Sequence, residues 1–365
     1  MKIVFISKRI DKSGITTHML TLGRQLVKMG HEVYLITSGC NKNDLETLQL
    51  FKDFKRAGIK HRTVKFPLYS TTGLKNQIKI FLKYILVLPK AMKVLREIKP
   101  DIIHLHYFIV GYIPKIYNMI FKRIPSIATL HKANVVKTPL SCKADACIAI
   151  SEEVKPEIIN KFKYSKVYTI YNGTDKVKPY KRIKNSRPNI LFVGSLGIRK
   201  GLDILIDALK IVAKTNQNFT CTILGDGNVE WVNQLIQNAN LQEFITLVPF
   251  QDPQSLYKKA DIFVLPSRVE GFPLVVIEAM MNGLPVIRSN TEGAYTQIEQ
   301  GKTGYIFENE NCEELANYIL KLLEDENLRL KMGKKGYKKS ITEFSSEIMA
   351  EKTMTAYKSL IEDFY

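Results

Sequence analysis

The stretch from Asp261 to Ile287 leaves a chain of this kind few folds to choose from. Ile262 to Leu265 is a short, wholly apolar run, suited to a strand buried on both faces, as in parallel sheets covered by helices. Pro266, Ser267 and Arg268 break the run, and Glu270, Gly271, Phe272 and Pro273 follow. The pattern from Leu274 to Met281 predicts a helix, with Pro273 at its first position, where a missing N–H costs nothing. Gly283 and Pro285 end it, and Val286-Ile287 opens another strand. Strand, glycine turn and helix head leave backbone N–H groups and the positive end of the helix dipole free to hold an anion. Glu270 and Glu278 flank that cradle. Two carboxylates would repel a bare phosphate. They suit a ligand carrying hydroxyls beside its phosphates, as a nucleotide sugar does.

The same alternation runs through the rest of the 365 residues, a length that supports two domains. Lys2 to Ile6 predicts a buried strand, Asp11 to Gly14 a turn, Ile15 to Met29 an amphipathic helix closed by Gly30, and His31 to Ile36 the next strand. Asp101 to His106 and Ser126 to Leu130 predict further strands, the second running into His131. Ligands in α/β sheets sit beyond the carboxyl ends of strands, so His106 and His131 are well placed for function. Lys176 to Pro188, polar and basic with two prolines, reads as a linker. A second series then starts: strand Ile190 to Val193, loop Gly194 to Gly201, helix Leu202 to Ala213, strand Cys221 to Leu224, turn Gly225 to Gly227, strand Ile245 to Val248. No GxGxxG follows either first strand, which gives a dinucleotide oxidoreductase little support.

Charge separates the halves. Residues 1–176 hold 31 Lys and Arg against 12 Asp and Glu, whereas residues 177–365 hold 23 of each, so the net +19 belongs to the first half. An anionic partner met by that half is the natural reading. Leu74 to Lys99 predicts a long helix with Lys75, Lys79, Lys83, Lys90 and Lys93 partly on one face, kinked or broken at Pro89. With the basic, aromatic segment Tyr112 to Arg123 it points to contact with an anionic membrane surface. No apolar run reaches the ~18–20 residues of a span. The start MKIVFI is too short for a signal h-region, and five scattered cysteines form no CxxC pair, so a reducing cytoplasm is expected, with peripheral membrane contact. No nucleic-acid-binding signature accompanies the basic half.

The motif S-R-x-E-G-F-P-L-x-x-x-E-A, with its Glu-x7-Glu spacing, resembles the donor-site signature of the retaining family 4 glycosyltransferases, which have the GT-B fold. Similarity continues through Asp101 to His106, the turn Asn172 to Asp175, the loop Gly194 to Gly201 and the turn Gly301 to Gly304. The resemblance implies an α/β protein of two Rossmann-like domains facing across a cleft. Residues 1–176 would form the acceptor-side domain, residues 177–343 the nucleotide-sugar domain, and residues 344–365 a helix crossing back onto the first. It implies transfer of a sugar from a nucleotide diphosphate donor, a UDP-sugar ahead of a GDP-sugar, to a glycan or lipid-linked acceptor in cell-surface polysaccharide, lipopolysaccharide or glycolipid synthesis. Configuration would be retained, with neither metal nor other cofactor. No Asp-x-Asp pair follows a strand to hold a divalent ion.

The same resemblance assigns roles. Glu278 would take the ribose hydroxyls and Glu270 those of the sugar. Lys200, Arg199 and the amides of Gly271, Phe272 and Leu274 beside Pro273 would face the diphosphate. Gly14, Gly194 and Gly225 would let backbone approach the donor, and Phe250 would lie by the base. His131 would position the sugar, with His106 on the acceptor side. Ser195 stands where relatives carry an arginine, a charge Arg199 would replace, and Thr296 stands where they commonly carry a glutamate. Two other readings remain at this point: a nucleotide-sugar epimerase and a non-catalytic nucleotide-sugar-binding module.

Overall fold

A computed structural model describes residues 1–67, 74–107, 110–131, 143–178 and 185–364, the side chains of 74–82 and 84 excepted. Lys75, Lys79, Cys142 and linker residues 179–184 therefore lie outside the described groups. The chain divides into two compact units, Met1–Gly173 with Ser346–Tyr365, and Thr174–Ser345.

The first unit is built on seven parallel strands: β1 (Lys2–Ile6), β2 (Glu32–Thr37), β3 (Lys60–Thr63), β4 (Ile102–Leu105), β5 (Ser126–Leu130), β6 (Ala146–Ala149) and β7 (Val167–Thr169), in the order β3-β2-β1-β4-β5-β6-β7. β1, β4, β5 and β6 are almost wholly buried, which is why apolar residues dominate them, with His104, Ser126 and Thr129 as buried polar exceptions. Ile3 and Phe5 face one core with Met19, Leu22 and Leu26 of helix Gly14–Lys28. Val4 and Ile6 face the other, with Leu95 and Ile98 of helix Leu74–Ile98. The C-terminal helix Ser346–Glu362 joins this unit: Met349, Met354 and Tyr357 pack in the first core, and Gln25 Nε2 donates to Ser346 Oγ at 2.7 Å.

The break at Pro89 and the start of the helix after Ser151 are corrected here. Helix Leu74–Ile98 runs through Pro89 without a break. The ring removes one backbone donor, but the acceptor it frees, on Ile85, belongs to a residue 41% exposed, where water can replace the bond. The sequence from Asp145 to Ile150 followed by Ser151-Glu152-Glu153 predicts a strand and then an N-capped helix, but the helix begins later, as Lys155–Asn160, and Ser151 Oγ caps a preceding turn by accepting from the Val154 N–H at 3.3 Å.

The second unit holds six parallel strands: β8 (Asn189–Val193), β9 (Thr220–Gly225), β10 (Ile245–Pro249), β11 (Ile262–Leu265), β12 (Val286–Ser289) and β13 (Gly304–Phe307), ordered β10-β9-β8-β11-β12-β13. The order reverses between β8 and β11, so the loops after those two strands flank the switch point where α/β sheets bind ligands.

Candidate active site

The loop after β8 and the loop after β11 are fastened to each other. Arg268 N–H donates to Arg199 C=O at 2.9 Å, and the Arg268 guanidinium donates to Ile198 C=O at 2.6 Å and to both carboxylate oxygens of Asp203 at 2.9 and 2.7 Å. Hydrogen bonds from Arg268 to Asp203 and Glu310 hold the guanidinium pKa above its ordinary value. The β8 loop is also zipped to the β9 loop, through Leu196 N–H to Asp226 C=O at 2.8 Å and Asn228 N–H to Leu196 C=O at 2.9 Å. At Gly225 a Cβ would stand 2.0 Å from the Gly194 carbonyl oxygen, so that residue is glycine because two backbones meet there.

This bracing delivers Lys200 to Glu270. Lys200 Nζ lies 2.5 Å from Glu270 Oε1, with both side chains nearly buried. Burial would raise the Glu270 carboxyl, but the Lys200 ammonium and, more weakly, Arg199 override it and hold the group below its ordinary value. Arg199 is more exposed; its guanidinium sits 3.9 Å from the same carboxylate oxygen and donates to Val269 C=O at 3.1 Å. Ser195 is exposed on the same loop. The cations the sequence pairs with a diphosphate are thus gathered at one carboxylate.

Helix Leu274–Met281 matches its expected span, but Pro273 is the N-cap and Leu274 the first helical residue. Pro273 has ψ 125°, extended backbone that a helical first residue would not adopt. Phe272 is buried edge-on to Phe344, with centroids 5.4 Å apart, so its ring belongs to the core and not to a ligand. Behind the helix head, Gln297 Nε2 donates to Pro273 C=O at 3.0 Å, while its Oε1 accepts from the wholly buried Arg288. Neither Gln297 nor Arg288 was marked by the motif. Their signal is a polar pair within a helix-and-strand repeat that otherwise buries apolar residues.

Glu278, one helical turn from the C-terminus, accepts from Tyr257 Oη at 2.9 Å. Burial raises its pKa, the Tyr257 bond opposes this, and Asp252 adds to it, leaving the carboxyl above its usual 4.5. A raised folded-state value means that stability is lost as pH climbs from the unfolded pKa through the folded one. Glu278→Gln is therefore expected to melt higher than the parent at pH 7, with the gap closing at pH 4; thermal melts at both values check this, and an equal gap at each contradicts it. Gly194 and Phe250 complete the strand-end residues of this unit, Phe250 being 50% exposed after β10.

The first unit carries the other predicted residues. Gly14 opens helix Gly14–Lys28 behind the N-cap Ser13, and a Cβ there would meet no atom within 4 Å. His131 follows β5 and is half-buried, whereas His106, after β4, is only 2% exposed and has its Nδ1 3.1 Å from His131 Nε2. Burial holds both rings well below the usual imidazole value. His106 therefore faces His131 and not open solvent.

Comparison with known proteins identifies the family. The family model for group 1 glycosyl transferases matches residues 174–339, and that for glycosyltransferase family 4 matches residues 12–178. An uncharacterized glycosyltransferase of Methanocaldococcus jannaschii is 30% identical over 278 residues, 72% of this chain and 75% of its own. The capsular polysaccharide biosynthesis glycosyltransferase CapM of Staphylococcus aureus is 30% identical over 251 residues, 62% of this chain and 64% of its own. The crystal structure of Anabaena Alr3699/HepE in complex with UDP and glucose superposes with a TM-score of 0.77 at 19% identity, covering 98% of this chain and 100% of that one. The two family models cover nearly the whole chain in sequence and each falls on one parallel-sheet unit, so the chain belongs to the family 4, group 1 glycosyltransferases and has their GT-B fold.

Proposed function

We propose that this glycosyltransferase moves a sugar from a UDP-sugar to a glycan or lipid-linked acceptor of the cell surface, with retention of configuration and without a metal. The observation that carries the reading is the Lys200–Glu270 pair beside the head of helix Leu274–Met281. The pair resolves the conflict between a carboxylate and a phosphate in one pocket, because the Glu270 charge is already balanced. A diphosphate bound at the Gly271 to Leu274 amides would share Lys200, and Arg199 beside it, as charge grows on the leaving group. Glu270 would keep its second oxygen for a sugar hydroxyl, and Glu278 would exchange the Tyr257 hydroxyl for those of the ribose. The leaving phosphate would take the acceptor proton on the face from which the sugar departs. Gly14 and His131 keep the roles the resemblance gives them, approach to the diphosphate and placement of the sugar. UDP in the Anabaena relative supports the base, and the capsular relative supports the acceptor class.

Incubation with a panel of nucleotide sugars, with and without lipid-linked acceptor and with chelator present, tests this by released nucleoside diphosphate. Release that requires acceptor and survives chelation is expected. Turnover of donor without acceptor would favour an epimerase, and binding without release a passive module. Glu278→Ala is expected to weaken UDP-sugar binding about tenfold, or about 1.4 kcal/mol; unchanged affinity by calorimetry counts against the ribose role.

A membrane face is supported by the first unit's helices. Leu86 on Leu74–Ile98 and Met119 and Ile120 on Tyr112–Ile120 are 79%, 78% and 60% exposed. A groove of about 700 Å³ in the same unit is lined by five cations, Lys93, Arg96, Lys99, Lys122 and Arg123, against two acids, Glu97 and Asp101. Among the described residues no helix is long and apolar enough to cross a membrane. The protein is therefore expected to sediment with vesicles containing phosphatidylglycerol, to be released by salt as basic contacts are screened, and to lose binding when Leu86 and Met119 are both made Asp. Equal binding to neutral and anionic vesicles contradicts this.

A further inference from the structure

His18, His106 and His131 come from three different elements, the helix Gly14–Lys28 and the ends of β4 and β5, and meet in one place. Each offers a ring nitrogen, and the three lie within 4.8 Å of one another. The His106 Nδ1 to His131 Nε2 separation of 3.1 Å is close to the ~3.3 Å between two ligands of a tetrahedral ion at Zn–N distances near 2.0 Å. Small ring rotations would bring the third nitrogen to the same separation.

Their neighbour His104 shows what a purely structural histidine looks like in this fold. Its ring centroid lies 4.3 Å from that of His106, with the planes tilted by 31°, but both of its nitrogens are used, Nδ1 with Tyr357 Oη and Nε2 with Thr129 Oγ1, each at 2.6 Å. In the trio, neither ring nitrogen of the buried His18 has a hydrogen-bond partner of normal geometry, with the Asn172 side chain as its polar neighbour, and the His106–His131 contact joins two nitrogens of which only one can donate. Phe5 closes the wall, edge-on to His106 at 5.1 Å. Each neutral imidazole has one lone pair to give, and three such rings gathered in one place suit a cation that accepts nitrogen donors.

We propose that His18, His106 and His131 bind one divalent transition-metal ion of the zinc class, with the fourth coordination position open. Three imidazoles without a carboxylate select zinc, cobalt, nickel or copper over magnesium and calcium, which require oxygen ligands. The ion is not required for sugar transfer; it would occupy the ring that otherwise places the sugar, and so inhibit. The binding claim stands on geometry alone, and only the inhibition rests on the proposed role of His131.

The test uses the whole protein, stripped with chelator and titrated with Co²⁺. The expected result is a visible absorption band of a low-coordinate, nitrogen-ligated Co²⁺, saturating at one ion per chain, displaced by Zn²⁺ and indifferent to Mg²⁺. His131→Gln and His18→Gln, each checked for fold by circular dichroism, are expected to lose at least tenfold in affinity. Absence of the band in the unsubstituted protein, or affinity unchanged in folded variants, overturns the proposal. Binding without loss of transferase activity would support the metal site and count against His131 at the sugar.

Discussion

Lys200→Met is expected to lower kcat about 100-fold with saturating donor, or about 2.7 kcal/mol, since one preorganised charge aimed at a leaving group is worth roughly 10²–10³ in rate. The ammonium is already in place, 2.5 Å from Glu270 Oε1 and with its side chain 12% exposed, so little reorganisation is needed as charge develops. Losing it also strands Glu270, whose side chain is 10% exposed. Removing one partner of a buried ion pair costs about 3–5 kcal/mol of stability, and less here because Arg199 stands 3.9 Å away. Fold and chemistry can be separated: the double variant Lys200→Met/Glu270→Gln should regain the melting temperature without regaining kcat. Near-normal turnover in Lys200→Met refutes the leaving-group role, and recovery of kcat in the double variant shows that the lysine only kept Glu270 quiet.

Gly201→Ala is expected to destabilise the second unit by at least about 3 kcal/mol and to lower kcat with it. Gly201 has φ 69° and ψ 30°, left-handed backbone that costs a non-glycine residue about 1–2 kcal/mol. A Cβ there would lie 1.9 Å from the Pro266 carbonyl oxygen, a backbone atom that cannot swing aside. The β8 loop would have to withdraw from the end of β11, stretching the Arg268 N–H to Arg199 C=O bond and the Arg268–Asp203 bridge. Lys200 is the adjacent residue, so it would leave Glu270 as well, and an ångström of misplacement can cost about 100-fold in rate. Denaturant melts and kcat on the same preparation check both effects. A stable, active Gly201→Ala protein would show that the two loops do not depend on this contact.

What could be read in the sequence follows from what each feature costs. β1, β8 and β11 are buried on both faces and so appear as largely apolar runs, and helix Leu274–Met281 is bounded by a proline and a glycine that mark its ends. The register of those ends was less legible, because Pro273 fits both an N-cap and a first helical position. Short helices such as Gln254–Lys259 carry too few residues to show a period, yet that one supplies Tyr257, the partner of Glu278. The pairings within the site join residues 70 apart for Lys200 and Glu270 and 65 apart for Arg268 and Asp203, distances over which local pattern carries no information. His18 was invisible for a different reason. A histidine on an amphipathic helix has the same appearance whether it faces solvent or two other imidazoles.

Binding of a UDP-sugar in the second unit is the central claim, and a structure of the complex tests it most directly. The account predicts the diphosphate against the amides of Gly271 to Leu274 with Lys200 Nζ in contact, the ribose hydroxyls on Glu278 and the base near Phe250. A donor that binds with these groups untouched would contradict it.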